Sequence, residues 1–143
     1  MNAEELHVDK DKIMLCGFSA GAHTCGSVAV HWQEFEESET GEYASVSAKP
    51  NAVILSYPVI TSGDCAHRGF FTALLGADAS EEELVPVQKS FLFAQALQEK
   101  KIPYAFHVFS KGKHGLSLAD EAWANEEVKQ WPELADEWIR TTL

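Results

Sequence analysis

Residues 12–21 read KIMLCGFSAG. Ile13 to Cys16 is a short, unbroken apolar run, which is how a strand covered on both faces reads. The run stops at Gly17. From Ala20 to Phe35 the residues Cys25, Val28, Trp32 and Phe35 recur at helical spacing. Between strand and helix lies Gly17-Phe18-Ser19-Ala20-Gly21, a G-x-S-x-G pattern in the strand–turn–helix setting that a nucleophile elbow requires. So sharp a reversal strains the serine backbone and leaves its hydroxyl exposed at the C-terminal edge of the sheet. Gly17 and Gly21 are expected to lack side chains because strand and helix pass close there. The helix start adds partial positive charge, and the Ala20 N–H can donate to a developing oxyanion. The competing reading is a glycine-rich turn whose serine merely caps the helix; the flanking strand and helix favour the nucleophile.

The rest of the chain extends this unit. Ala52 to Tyr57 (AVILSY) reads as a second buried strand, stopped by Pro58. Residues 58–88 carry no sustained period, which is uncommon inside a compact domain. Helical spacing returns from Lys89 to Lys100, with Phe93, Ala96 and Leu97 on one face and Leu92 beside them. Ile102 to Phe109 (IPYAFHVF) predicts a third strand, and KGKHG a tight loop after it. A last helix is predicted from about Pro132 to Thr141, with Pro132 in its first turn. Strands alternating with helices imply an α/β domain with a parallel sheet of about three strands flanked by helices. Such a sheet is small, so residues 1–143 read as a single truncated domain.

A base for Ser19 should sit on a loop after a later strand, at the same sheet edge. His114, in Lys111-Gly112-Lys113-His114-Gly115, fits, and the order of serine first and histidine last is that of α/β-hydrolases. As general base it would take the Ser19 proton and return it to the leaving group. The alternative is a polar loop residue. Of the other histidines, His107 falls inside the third predicted strand and reads as structural. His23 lies one helical turn beyond Ser19 and suits packing or a supporting contact. His7 and His31 read as surface, and no spacing supports a role for His67.

Composition narrows the partners. Of the 143 residues, 45% are hydrophobic and 23% charged, enough for one globular domain with a real core. The formal net charge of −11 repels phosphate backbones and anionic membranes, so neither nucleic acid nor membrane is an expected partner. The three cysteines, Cys16, Cys25 and Cys65, form neither a disulfide framework nor a CxxC zinc pattern. The start, MNAEELHVDKDK, has no apolar core of a signal peptide, and the expected location is cytoplasmic.

With these residues in hand, the chain resembles an α/β-hydrolase esterase. The group is that of the acetyl-esterase, or acetyl-xylan and feruloyl esterase-like, enzymes. The likeness is carried by KIMLCGFSAGAH, SYPVIT, HRGFFTALLGADASEEE and LVPVQKSFLFAQALQEKKIPYAFHVFSKGKHGLSLA, and by the tryptophan-rich end to WIRTTL. The resemblance implies a carboxylic-ester hydrolase with Ser19 as nucleophile and His114 as base. It implies no metal and no organic cofactor, and a small-molecule ester substrate such as an acetylated sugar. Ala22 stands where the family usually has glycine.

Two larger departures accompany it. The family has an upstream half with a glycine-rich HGGG-type loop that supplies further oxyanion N–H groups. It also has a strand before VPV, ending in a motif resembling T-A-D-D-x-x-V-P that carries the triad acid. Here LLGADASEEE runs directly into LVPVQKS, so a strand is absent near Glu83 and Leu84. The acid is therefore unassigned. Glu81, Glu82, Glu83 and Asp78 are weak candidates, since an acidic run is more often a solvated surface. If the sheet closes the gap, the third strand shifts by about one spacing, ~4.8 Å, and takes His114 with it. The first strand becomes an apolar edge through which copies of the chain could self-associate. The alternative function is a catalytically inactive remnant of the fold. Within hydrolases, a peptidase or dienelactone-hydrolase relative is a further alternative. Ser19 argues against the dienelactone type, which often uses cysteine, and a peptidase normally brings another domain.

Overall fold

A computed structural model describes residues 2–38, 40–41, 44–60, 87–110, 115, 117–120 and 126–143. Strand β1 (Met14–Phe18) leads through a one-residue turn into helix α1 (Ala20–Ser38), and β2 (Ala52–Ser56) comes next. Helix α2 (Gln88–Glu99), a 3₁₀ turn (Val128–Gln130) and helix α3 (Trp131–Thr142) complete the described elements.

β1 and β2 pair in parallel, with Met14 opposite Ala52 and Phe18 opposite Ser56. The pairing begins just before the ladder. Asn51 N–H donates to the Ile13 carbonyl at 2.8 Å, and the Asn51 side-chain carbonyl accepts from Ile13 N–H at 2.8 Å. A parallel pair needs a crossover covering one face. α1 is that crossover and packs on both strands, with Ala22 fully buried at the contact. At His31 its backbone leaves helical geometry (φ −116°, ψ 18°), and His31 Nδ1 lies 2.9 Å from Glu34 Oε1 on the exposed side. The strands are less enclosed than their apolar runs predict: most of their residues are half-buried, and Cys16 is exposed.

The predicted third strand is not observed. Among the described residues the sheet has two strands, and Ile102 to Phe109 belongs to neither edge. A strand exists only as one side of a hydrogen-bonded ladder, and an apolar run without a neighbour cannot make one. Residues 101–108 are exposed throughout. The segment leans on α2 instead: Phe106 meets Phe91 edge to face at 5.4 Å, and Tyr104 Oη lies 3.4 Å from Gln98 Oε1. The predicted sideways closure of the gap does not occur, because no ladder joins this segment to β2. His107 is accordingly an exposed residue outside any strand. In α2 the buried residues are Lys89 and Ala94, while Phe91 and Leu92 stay exposed.

A second nucleus gathers the C-terminal part. Ala119 and Val128 are buried against each other, with Phe109 and Trp131 packed around them. α3 carries Pro132 in its first turn, and its predicted stripe of Leu134, Ala135, Trp138 and Ile139 is its half-buried face. The two nuclei meet where the Trp131 ring stands edge to face on Phe18 at 5.9 Å.

Candidate functional site

Ser19 sits in the turn between β1 and α1 with φ +53°. A residue that only caps a helix keeps β-region dihedrals, so this conformation matches the strained elbow better than a plain N-cap. Holding a non-glycine residue in the left-handed region costs about 1–2 kcal/mol. The surroundings enforce it: Ser19 N–H donates to the Ser56 carbonyl at 3.0 Å, tying the turn to the end of β2, and the Ser19 carbonyl accepts from His23 N–H at 3.2 Å in the first turn of α1.

The two flanking glycines differ. A Cβ at Gly17 would fall on the Gly21 carbonyl oxygen, 2.6 Å from the Gly21 carbonyl carbon and 2.7 Å from Ala22 N. Strand and helix therefore cross too closely at Gly17 for any side chain. A Cβ at Gly21 meets nothing within 4 Å among the described residues, so the predicted steric need for glycine holds only at Gly17. Ala20 opens α1, and N–H groups of a first helical turn have no acceptor within the helix. No acidic residue stands in that turn to compete for them.

Tyr57 directly follows β2, one residue past the Phe18–Ser56 pair that ends the ladder. Tyr57 has φ +40°, although it is aromatic and precedes Pro58, a position normally driven to extended backbone. Its ring lies against Phe18 at 6.0 Å. Its hydroxyl accepts from Ser117 N–H at 3.0 Å, and the Ser117 carbonyl accepts from Trp131 Nε1 at 3.0 Å. At the other end, Ser110 Oγ bonds Glu127 Oε2 at 2.9 Å and Ser110 N–H donates to Glu127 Oε1 at 3.3 Å. Ser110 and Ser117 bracket the stretch that contains His114, and both are held. Tyr57, Glu127 and Trp131 were not singled out by sequence reasoning. The available signal was an aromatic residue directly before Pro58 at the end of the second apolar run.

Of the residues predicted for the site, Ser19, Ala20, Gly17 and Gly21 come together at the elbow. His23 is half-buried on α1, and His7 and His31 are exposed. His114, His67, Asp78, Glu81, Glu82 and Glu83 lie outside the described residues. Partial burial, and then the neighbouring Cys25, push the Cys16 thiol up from its ordinary value. Among the described residues no group of three His, Cys, Asp or Glu side chains could hold a metal ion, and no helix is long and apolar enough to cross a membrane.

No model of a known protein family matches the chain. It is 42% identical to part of endo-1,4-beta-xylanase B of Butyrivibrio fibrisolvens, over 84% of this chain and 23% of that protein. The chain thus spans about a quarter of the length of the curated relative it matches. The alignment runs over 146 residues, more than the whole chain, so it passes positions of the relative that have no counterpart here. Among solved structures, the carboxylesterase Cest-2923 of Lactobacillus plantarum WCFS1 is similar, with a TM-score of 0.72 and 25% identity. That match takes in 98% of this chain and 62% of the esterase. The chain has a partial α/β-hydrolase-like, carboxylesterase-like fold, with a small parallel sheet flanked by helices.

Proposed function

We propose that the chain is a truncated, single-domain unit of a carboxylic-ester hydrolase that works by acyl transfer to Ser19. The observation that carries this reading is the elbow: Ser19 at φ +53° between β1 and α1, with Gly17 pressed on the Gly21 carbonyl. In the proposed reaction, Ser19 Oγ attacks the ester carbonyl carbon while His114 takes its proton. The Ala20 N–H donates to the oxyanion. The C–O bond to the alcohol breaks, and the alcohol leaves with the proton from His114. Water, deprotonated by His114, then attacks the acyl-serine, releasing the acid and restoring Ser19.

The proposed substrate class is an acetylated sugar. The relative named as a xylanase supports a carbohydrate setting, and the carboxylesterase likeness supports ester chemistry. The triad acid is unassigned, with Asp78, Glu81, Glu82 and Glu83 as weak candidates. In a serine protease, replacing the acid lowers kcat by about 10⁴, so slow turnover is expected. The outer edge of β1 is proposed as a place where copies associate; a size-exclusion elution that moves with protein concentration would support it.

The second reading is a catalytically inactive remnant. It is favoured by the failure of residues 102–109 to join the sheet, since the base comes after that segment in sequence. Hydrolysis of acetylated xylo-oligosaccharides and of p-nitrophenyl acetate by the purified chain separates the two. Acetate release that is lost in both Ser19→Ala and His114→Ala supports the hydrolase. No release above buffer with either substrate supports the remnant.

A further inference from the structure

We infer that residues 102–108 are an interface strand, which pairs antiparallel with the same residues of a second copy of this chain about a two-fold axis at Ala105. This surface is separate from the outer edge of β1, and the inference does not depend on the acyl-transfer reading. Residues 102–109 run without turn or bend, yet join no sheet among the described residues. Of their backbone N–H groups, only that of Ile102 has an acceptor there, the Leu97 carbonyl at 3.0 Å. An exposed row of unpaired N–H and C=O groups is a template for another strand. Extended backbone sends alternate side chains to one side, so Ile102, Tyr104, Phe106 and Val108 share a face. Tyr104 and Phe106 reach α2 from it, at Gln98 and Phe91, and that helix covers them only in part.

The order of residues in the segment selects the occupant. With Ala105 on the axis, Tyr104 stands opposite Phe106 of the second copy and Ile102 opposite Val108. Aromatic and β-branched pairs of this kind stabilise antiparallel sheets. Alanine, the smallest side chain in the segment, is the residue that meets itself. Pro103 fixes the hydrogen-bond pattern. It has no N–H, so it must face His107 in a non-hydrogen-bonded pair. The ladder alternates, so Tyr104 and Phe106 exchange both bonds and the Ala105 pair exchanges none. Val108 N–H then finds the Ile102 carbonyl of the second copy, while Ile102 N–H keeps Leu97.

Charge and area agree with a second copy. The net charge of −11 opposes self-association in general, but no carboxylate lies from Lys100 to Ser110. The same register carries Lys100 and Lys101 to the end of the pair where the second copy holds Ser110 against Glu127. Opposite charges therefore meet at both ends. Phe91, Tyr104 and Phe106 alone leave roughly 250 Å² of ring surface uncovered. Ile102, Val108 and the bare backbone ribbon bring the face toward the ~800 Å² per partner of a stable interface.

The test has two arms on the full chain. In Ala105→Cys the two new thiols face each other in a non-hydrogen-bonded pair, where Cα atoms lie about 4.5 Å apart, within disulfide range. Diamide oxidation followed by peptide mapping should give a covalent dimer whose link joins the two peptides that carry position 105. In the second arm, sedimentation velocity under reducing conditions compares wild type with Val108→Lys over a concentration series. Each copy of the variant loses one apolar side chain from the interface, so the dimer dissociation constant should rise by about 10- to 100-fold. Tyr104→Lys serves if Val108→Lys does not fold. Both results are required. Wild type that stays monomeric at every concentration overturns the inference. So does a dimer that Val108→Lys leaves unchanged, or one in which oxidation joins position 105 only to a native cysteine; either outcome puts the contact elsewhere, as at the edge of β1.

Discussion

β1 and residues 102–109 are both short apolar runs, and they end differently. β1 lies in a five-residue parallel register with β2, is roofed by α1 and delivers Ser19 into a strained, hydrogen-bonded turn. Residues 102–109 make no ladder, and Ile102, Tyr104, Phe106 and Val108 stand 49%, 36%, 38% and 49% exposed. The difference lies in their neighbours rather than in their composition. A parallel strand is stabilised by its pairing partner and by the helices on its faces. β1 has both, whereas among the described residues the later run has α2 beside Tyr104 and Phe106 and the C-terminal nucleus beside Phe109, with no ladder. The turn at Ser19 is held by the ladder and by backbone bonds, while Ser110 and Ser117 are held by bonds to the Glu127 and Tyr57 side chains.

That contrast can be broken by substitution. The largest effect is expected at Gly17. In Gly17→Ala the new methyl meets backbone atoms that cannot swing away, and overpacking of this kind costs about 3 kcal/mol. A urea midpoint unchanged from wild type would show that strand and helix do not cross so closely. Next is Val128→Ala in the buried C-terminal nucleus. Losing two buried carbons at about 0.8 kcal/mol each, plus a small cavity, predicts a loss of about 2 kcal/mol. Gly21→Ala should have the opposite sign. It adds a methyl to open space on a helix and should stabilise by about 0.5–1 kcal/mol. Val108→Lys in the unpaired run should change stability by no more than about 0.5 kcal/mol in either direction. A loss of several kcal/mol there would mean that the segment is packed after all. The smallest effect concerns the exposed side of β1. The Cys16 thiol is raised, so its thiolate fraction at pH 8 is below that of a free thiol. Iodoacetamide should modify Cys16 more slowly than free cysteine at that pH, and the rate should keep rising above the range where free cysteine levels off.

The elbow was legible in the sequence because all its parts are contiguous. Strand, glycine, serine and helix occupy one stretch, and each constrains the next. The pairing of β1 with β2 was legible too, because a single helix links two apolar runs. The fate of 102–109 was not legible, since periodicity reports a preference for extended structure and says nothing of a neighbour. The depth of burial was overstated for the same reason: an apolar run such as Met14 to Cys16 reads as covered on both faces whether or not the covering elements exist. Gly21 resembled Gly17 in the motif, yet only a three-dimensional crossing distinguishes them. Tyr57, Glu127 and Trp131 were hidden because each acts across a sequence separation of 14 to 60 residues, which no local pattern reports.

The account turns on Ser19 being an activated nucleophile rather than a structural serine. Intact-mass analysis after incubation with a serine-directed fluorophosphonate, with peptide mapping of the product, tests this most directly. The account predicts a single phosphonyl adduct on the peptide containing Ser19, absent in Ser19→Ala and slowed in His114→Ala. An unmodified chain, or an adduct that persists in Ser19→Ala, would contradict it.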